Sequence, residues 1–135
     1  FGRGETLTVG GHPLELVLVK NPAGFRLGLE SYSPEGYATM IAINDNYADG
    51  RDMSWLWDVD FTKLINHPVY VTGVRAYDMA LRIKYSEKAA QVFENLGRAI
   101  ENSIIETSTS ETLFILPTYS AMLEARKILT GRKIL

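Results

Sequence analysis

Short apolar runs alternate with helix-forming segments along the chain. The runs typical of buried strands are residues 14–19, 37–43, 69–72 and 111–116, with a shorter edge strand at residues 91–94. Apolar residues at helical spacing, or favourable capping residues, predict helices at residues 23–30, 75–85, 96–106 and 120–129. Strands separated by helices of this length pair in parallel through right-handed crossovers. The pattern therefore predicts an α/β fold, a three-layer sandwich.

A carboxylate-rich loop follows the strand predicted at residues 37–43. Residues 44–58 (NDNYADGRDMSWLWD) contain four aspartates, one arginine and two tryptophans, and they include a short helical stretch through Trp55. In open α/β sheets, ligands bind in the crevice beyond the carboxyl ends of the strands. We therefore expect the chemistry of this chain to lie in this loop.

Three of the four aspartates of the loop also have a structural interpretation. Asp45 suits the turn after its strand, and Asp49 forms an ordinary turn pair with Gly50. Asp52 suits the N-cap of the helical stretch that follows. Crowded like charges need a compensating cation, however, and Arg51 is the one cation of the loop. A bound magnesium–nucleotide, or a cationic group from another chain, would supply the rest.

The two tryptophans of the loop, Trp55 and Trp57, are two positions apart on a short helical segment. Side chains at that spacing do not face the same core, so we expect one of them to be exposed as an interface anchor. The alternative is that both lie beneath the loop, because tryptophan is highly buried on average.

Composition excludes several classes of protein. A chain of 135 residues fits one domain, and a formal charge of −2 offers no basic surface for nucleic acid or for a membrane. The absence of cysteine excludes disulfides, a thiolate nucleophile and cysteine-ligated metal within the chain. No apolar run approaches the roughly 18 residues that span a bilayer. We expect a single cytoplasmic domain, and the first residue, Phe1 rather than Met, predicts that upstream sequence is missing.

Common ligand-binding motifs are also missing. Neither GxGxxG nor GxxxxGK[ST] occurs, so the chain has no self-sufficient phosphate loop. The loop spacing superficially matches a calcium site, but Tyr47 and Leu56 stand where ligands belong, so we expect no metal site. His12 and His67 each precede a proline, which favours turn roles for both.

Four segments of the sequence resemble the C-terminal domain of the MurT family. They are KNPAGF at residues 20–25, the loop at residues 44–58, TGVRAYDMALRIKY at residues 72–85, and LPTYSAML at residues 116–123. The resemblance covers nearly the whole chain. MurT proteins are Mur-ligase-like subunits of lipid II isoglutaminyl synthases, which work with GatD-type glutaminase subunits. The resemblance implies a Rossmann-like C-terminal Mur ligase domain with a mostly parallel sheet.

The activity implied by the resemblance belongs to a heterodimer. The GatD-type subunit releases ammonia from glutamine, and the ligase subunit uses ATP and Mg to activate D-glutamate in the stem peptide of lipid II. Attack by ammonia gives D-isoglutamine. This chain lacks the phosphate loop of the ATP-binding central domain, so we expect the isolated domain to be inactive. Residues 1–5 resemble the remnant of the junction with that domain.

The resemblance also implies roles for individual residues. Asp52 matches the aspartate that completes the cysteine–histidine triad of the partner glutaminase. Asp45 matches the aspartate that Mur ligases place near the nucleotide, and Arg3 matches the interdomain arginine that approaches ATP. Roles for Lys20 and Asn21 beyond helix capping stay open.

Two other classes of function compete with this interpretation. In the closing domain of another ADP-forming Mur-type amino-acid ligase, Asp45 and Arg3 would matter and Asp52 would be only a cap. In a non-enzymatic α/β binding module, the tryptophans would dock a partner protein and the aspartates would have structural roles.

Overall fold

The computed structural model of the chain describes residues 3–9, 11–19, 21–30, 38–46, 49–50, 52–64, 68–86, 88–107 and 111–130. Within these ranges, the side chains of residues 3–5, 27, 30 and 63 are not described. Among the helices of these ranges, none is long and apolar enough to cross a bilayer.

Within the described ranges, six strands form one mixed sheet. In chain order they are β1 (Arg3–Val9), β2 (His12–Val17), β3 (Ala38–Ala42), β4 (Val69–Thr72), β5 (Gln91–Val92) and β6 (Leu113–Pro117). Their spatial order is β1-β2-β6-β3-β4-β5. β1 pairs antiparallel with β2, and every other neighbouring pair is parallel. The mostly parallel sheet expected from the sequence is confirmed.

In the part of the chain that the structure describes, four α-helices cover the two faces of the sheet. They are α1 (Pro22–Glu30), α2 (Ala76–Lys84), α3 (Leu96–Glu106) and α4 (Tyr119–Thr130). Side chains alternate along a strand, so Ile41 joins a core with α1 and α2, whereas Met40 joins a second core with α3 and α4. Helices on both faces confirm the predicted three-layer sandwich. Burial on both faces also explains why the central strands are continuously apolar.

The hydrophobic pattern does not predict β1. Its sequence, RGETLTV, is too polar to stand out as a buried run, and it becomes a strand by pairing with β2 at the edge of the sheet. A turn containing Gly11, with a φ of +82°, joins the two strands and sets Val9 opposite His12. His12 therefore begins β2 rather than forming a turn. Residues 3–5 belong to β1, and the assignment of residues 1–5 to the remnant of a junction stays a prediction.

The other predicted elements agree with the structure to within two residues at each end. The edge strand predicted at residues 91–94 is limited to Gln91–Val92, and position 37, predicted to start β3, lies outside the described residues. The helical stretch predicted in the carboxylate-rich loop is a 3-10 turn, Ser54–Asp58. A second 3-10 turn, Thr62–Leu64, follows the loop and was not predicted.

Gly73 brings the loop after β4 against the end of β3. Its φ is +96°, in the left-handed region that favours glycine. A Cβ at this position would lie 2.4 Å from the carbonyl oxygen of Ile43, and the N–H of Arg75 donates to that same oxygen at 2.9 Å. Glycine is therefore required where these two loops meet.

We predict that Gly73→Ala lowers the free energy of unfolding by about 3 kcal/mol or more. The left-handed conformation costs a residue with a Cβ about 1–2 kcal/mol, and the backbone clash adds to that cost. Gly50→Ala is the matched control, because Gly50 has a φ of +84° but a Cβ there meets nothing within 4 Å. Urea denaturation of both variants measures the difference. If both variants lost the same stability, the contact between position 73 and the carbonyl of Ile43 would not be what requires glycine.

Candidate functional site

The neighbouring strands β3 and β6 send the chain to opposite faces of the sheet. After β3, Met53 and Leu56 join the core that contains α1 and α2. After β6, α4 packs into the other core. Where adjacent strands diverge in this way, a crevice opens at the carboxyl edge of the sheet, and ligands of α/β folds bind there. The candidate site begins in this crevice.

Asn44 links three loops at the base of the crevice. Its backbone N–H donates to Oγ1 of Thr118 at 3.0 Å, and its Nδ2 donates to Oγ of Ser120 at 3.0 Å. Its Oδ1 accepts from the N–H of Val74 at 2.8 Å. Because Asn44 is buried, removing its side chain would leave polar groups without partners. Asn44 is a structural part of the site.

The hydroxyl of Ser120 is the centre of this network. It accepts from Nδ2 of Asn44 at 3.0 Å and from Nδ2 of Asn46 at 3.1 Å, and it donates to Oδ2 of Asp49 at 2.5 Å. A serine hydroxyl has one donor and two acceptor positions, so its capacity is filled. Oδ1 of Asp49 also accepts from the N–H of Ser120 at 2.6 Å, so Asp49 caps the start of α4.

Asp45 forms an ion pair with Arg75, which follows β4. Nη1 of Arg75 lies 3.1 Å from Oδ2 of Asp45, and the two side chains are 38% and 18% exposed, respectively. Nε of Arg75 lies 2.6 Å from Oδ2 of Asp78, in a contact without hydrogen-bond geometry. Arg75 therefore supplies Asp45 with a compensating cation from within the chain, where the sequence predicted Arg51 together with a bound magnesium–nucleotide or a cationic group from another chain. Arg51 itself lies outside the described residues.

Asp52 lies on an exposed turn. Its Oδ1 accepts from the N–H of Ser54 at 3.0 Å. Met53 occupies the N-cap position of the 3-10 turn, so Asp52 closes an Asx turn one residue before the position predicted for it. The backbone and side-chain hydrogen bonds from Ser54 hold the pKa of the Asp52 carboxyl below its usual value of 3.8. The carboxylate is therefore charged and accessible at neutral pH.

The turn that follows Asp52 is anchored to the body of the domain. Leu56 and Phe61 are buried in the core beneath it. Arg82, on α2, donates from Nε to the carbonyl of Leu56 at 3.0 Å and from Nη2 to the carbonyl of Val59. Its guanidinium also lies 4.9 Å from the centre of the Phe61 ring, as in a cation–π contact. These contacts fix the backbone that carries Asp52.

The two tryptophans of the loop differ in exposure, as predicted. Trp55 is partly buried and packs on Phe25, with 6.1 Å between ring centres. Trp57 is 47% exposed. The prediction that one tryptophan is exposed is confirmed, and the structure identifies it as Trp57.

The remaining residues singled out from the sequence have separate positions. The side chain of Arg3, and residues Lys20 and His67, lie outside the described part of the chain. Oδ1 of Asn21 accepts from the N–H of Gly24 at 2.8 Å, which confirms its capping of α1. Across the described ranges, no group of three or more histidine or acidic residues is arranged to hold a metal ion.

Sequence reasoning missed Arg75 and Ser120 as members of the site. A usable signal was present, because each lies within three residues of the end of a parallel strand. The carboxyl ends of neighbouring parallel strands meet at one edge of a sheet, so polar residues that follow different strands converge there.

Comparisons with known proteins give a consistent result. The family model described as MurT ligase C-terminal matches residues 18–122. A curated relative from Streptococcus pneumoniae (strain ATCC BAA-255 / R6) is named lipid II isoglutaminyl synthase (glutamine-hydrolyzing) subunit MurT. It is 35% identical over 142 residues, which cover 99% of this chain and 31% of the relative. The chain thus spans about a third of the length of that relative.

Two solved structures share the fold. Folylpolyglutamate synthase from Thermotoga maritima has a TM-score of 0.65 and 20% identity, covering 99% of this chain and 32% of that one. Folylpolyglutamate synthase from Mycobacterium tuberculosis, complexed with ADP and AMPPCP, has a TM-score of 0.57 and 20% identity, covering 99% of this chain and 33% of that one. At this identity, the similarity supports the Rossmann-like α/β fold alone. Because the family model covers most of the chain and the pneumococcal relative matches 99% of it, the chain belongs to the MurT ligase C-terminal family.

Proposed function

We propose that this chain is the C-terminal domain of the ligase subunit of a glutamine- and ATP-dependent amidotransferase in peptidoglycan synthesis. The enzyme would convert D-glutamate in the stem peptide of lipid II to D-isoglutamine. Two observations support the proposal: membership of the MurT ligase C-terminal family and the name of the pneumococcal relative, a subunit of lipid II isoglutaminyl synthase.

The chain spans 31% of that relative, so the proposal divides the reaction between several parts of a cytoplasmic complex. An ATP- and Mg-binding central domain precedes this domain in the full ligase subunit. A GatD-type glutaminase subunit forms a heterodimer with the ligase subunit and supplies ammonia. The isolated domain is inactive in this scheme, because neither the phosphate loop nor a cysteine nucleophile occurs in its sequence.

In the proposed complex, Asp52 completes the glutaminase site of the partner subunit. The observation that carries this proposal is an exposed carboxylate, with a lowered pKa, on an anchored turn. In a cysteine–histidine hydrolase, a carboxylate that accepts from Nδ1–H of the histidine fixes the tautomer that takes the thiol proton. It also stabilises the imidazolium that forms. The lowered pKa suits this role, because the carboxylate must stay charged throughout.

We propose that the crevice at the carboxyl edge of the sheet faces the bound ATP. Arg75 offers a partly exposed guanidinium and Asp45 a partly exposed carboxylate, at the edge of the sheet where α/β folds bind ligands. A guanidinium suits phosphate oxygens, and a carboxylate suits Mg²⁺, so these two residues fit the proposed group. Arg3 is proposed to approach the same nucleotide. When bound, ATP would activate the α-carboxylate of D-glutamate by phosphorylation.

We predict that Asp52→Asn in the full ligase subunit lowers the glutaminase kcat of the complex by about 10³-fold or more. The amide no longer stabilises the imidazolium or selects the correct tautomer, and the corresponding change in a serine triad costs about 10⁴-fold. Binding of the partner should change by less than about threefold, because one exposed side chain loses only its charge. Glutamate release at saturating partner, together with calorimetric titration, measures both quantities.

Asp60→Asn is the matched control for this experiment. Oδ1 of Asp60 accepts from the N–H of Thr62 at 3.0 Å, in front of the next 3-10 turn, as Asp52 does for Ser54. The control should retain near-normal glutaminase activity. If Asp52→Asn also retains it, Asp52 has only its structural role, and the alternative of another Mur-type ligase is favoured.

We predict that Arg75→Ala in the full ligase subunit weakens ATP binding by about tenfold or more. A hydrogen bond to a charged group contributes about 1.5–3 kcal/mol, and each 1.4 kcal/mol is tenfold in Kd. Arg98→Ala is the control, since Arg98 is an exposed arginine on α3 and its side chain is not part of the Asp45–Arg75 ion pair. Calorimetric titration with a non-hydrolysable ATP analogue gives the affinities without turnover. An unchanged affinity for the ATP analogue would mean that Arg75 pairs with Asp45 and Asp78 but does not contact ATP.

A further inference from the structure

Arg82, on α2, is a half-buried cation whose three nitrogens each donate to a group of this chain. Its Nε donates to the carbonyl of Leu56 at 3.0 Å, and its Nη2 donates to the carbonyl of Val59. Its Nη1 donates to Oγ of Ser86 at 3.0 Å. The planar fork of a guanidinium suits two acceptors at fixed positions, and a lysine ammonium does not reproduce it.

The position of this guanidinium is set by aromatic rings of the core. Its central carbon lies 4.9 Å from the centre of the Phe61 ring and 5.3 Å from the centre of the Trp57 ring. Phe61 is fully buried, and it packs edge-on against Phe25 with 5.0 Å between ring centres. Contacts with ring faces favour a cation electrostatically. Arg82 therefore connects a fixed part of the core to the backbone of the turn.

A chain of hydrogen bonds leads from Arg82 to the carboxylate of Asp52. Arg82 holds the carbonyl of Leu56, and the N–H of Leu56 donates to the carbonyl of Met53 at 3.1 Å. That carbonyl shares a peptide group with the N–H of Ser54, which donates to Oδ1 of Asp52 at 3.0 Å. Because a peptide group is planar, its carbonyl and its N–H turn together. Holding the carbonyl therefore also aims the N–H that orients Asp52.

The orientation of the Asp52 carboxylate decides whether it can serve as a triad member. The side chain is exposed, so the hydrogen bond from Ser54 selects among its rotamers. A triad carboxylate has to face one nitrogen of a histidine at hydrogen-bond distance. A displacement of about 1 Å caused by a distant substitution can lower a rate by about 10²-fold. Residues that hold the turn therefore affect the rate without touching the reacting atoms.

We infer that Arg82 is a positioning residue for the glutaminase reaction and acts through Asp52. It holds residues 52–59, which we call the Asp52 turn, in the orientation that the histidine of the partner requires. The inference rests on the proposed function, because it takes Asp52 to be the triad carboxylate. It extends that function by assigning part of the glutaminase kcat to a residue of α2 that does not take part in the chemistry.

The test measures glutamine hydrolysis by the full ligase subunit at saturating partner, so that a change in affinity between subunits does not enter kcat. Arg82→Ala should lower kcat by about 10²-fold, because the carboxylate is displaced. The KM for glutamine should change by less than about threefold, because in the proposed complex glutamine binds in the partner. Arg82→Lys keeps the charge and the aliphatic stem, but without the fork it should still lose about tenfold or more. Near wild-type kcat in either variant would overturn the inference.

A double variant separates positioning of Asp52 from a general loss of structure. If Arg82 acts through Asp52, the combination of Arg82→Ala with Asp52→Asn should have the same kcat as Asp52→Asn alone. The reason is that the effects of residues acting as a unit are not additive. A further fall in kcat, in proportion to that of Arg82→Ala alone, would show that Arg82 acts independently of Asp52 and would overturn the inference.

Asn95→Ala is the matched control for stability. Asn95 is the N-cap of α3, and its Oδ1 accepts from the N–H of Arg98 at 3.0 Å. The control therefore loses a hydrogen bond between a side chain and the backbone outside the Asp52 turn. It should lower the melting temperature, as the loss of an N-cap does, and leave the glutaminase kcat unchanged. A fall in kcat as large as that of Arg82→Ala would attribute the effect to stability and contradict positioning.

The failure of this inference is distinguishable from failure of the proposed function. If Asp52→Asn abolishes glutaminase activity while Arg82→Ala retains it, the triad role stands and Arg82 does not position the carboxylate. If Asp52→Asn remains fully active, the triad role itself fails. A fall in kcat in Arg82→Ala would then arise without Asp52, and the inference would fail as well.

Discussion

The arrangement of the carboxylate-rich loop after β3 depends on one hydroxyl group, whose hydrogen-bonding positions are all occupied. Ser120, at the start of α4, binds Asn44, Asn46 and Asp49, which all belong to the loop after β3. β3 and β6 are neighbours, but their continuations leave toward opposite faces of the sheet. The Ser120 network ties these diverging segments together at the crevice. The first half of the loop is thereby fixed on α4, while Arg82 fixes the second half on α2.

These two anchors divide one loop into two surfaces of different character. Asp45 lies at the edge of the sheet with Arg75. Asp52 and Trp57 lie on an outward-facing turn. The aspartates that crowd together in the sequence therefore have different partners in space: a guanidinium for Asp45, the start of α4 for Asp49 and a backbone N–H for Asp52. These three contacts separate the crowded charges, and the carboxylate of Asp52 stays exposed.

The hydrophobic pattern was sufficient for most of the fold. The central strands are buried on both faces and the helices on one, so continuous and periodic apolar residues mark each of them. β1 was not predicted from the pattern because an edge strand can be polar, and only its pairing with β2 makes it a strand. The pattern also favoured exposure of one tryptophan of the loop, but it did not indicate which one. That choice depends on Phe25, which packs on Trp55 from α1.

The site was harder to predict, because its contacts join residues far apart in the sequence. Arg75 is 30 residues from Asp45, and Ser120 is 71 residues from Asp49. These pairs meet because β3 lies between β6 and β4 in the sheet. Strand order is not encoded in the apolar periodicity of any single segment, so neither pair follows from it.

We propose that a carboxylate of this chain, Asp52, completes an active site on another subunit. The most direct measurement is the crystal structure of the full ligase subunit bound to its glutaminase. The structure should have an oxygen of Asp52 about 2.7–2.9 Å from Nδ1 of a histidine beside the catalytic cysteine. A bound glutaminase whose histidine is paired with a carboxylate of its own chain, with Asp52 facing solvent, would contradict the claim.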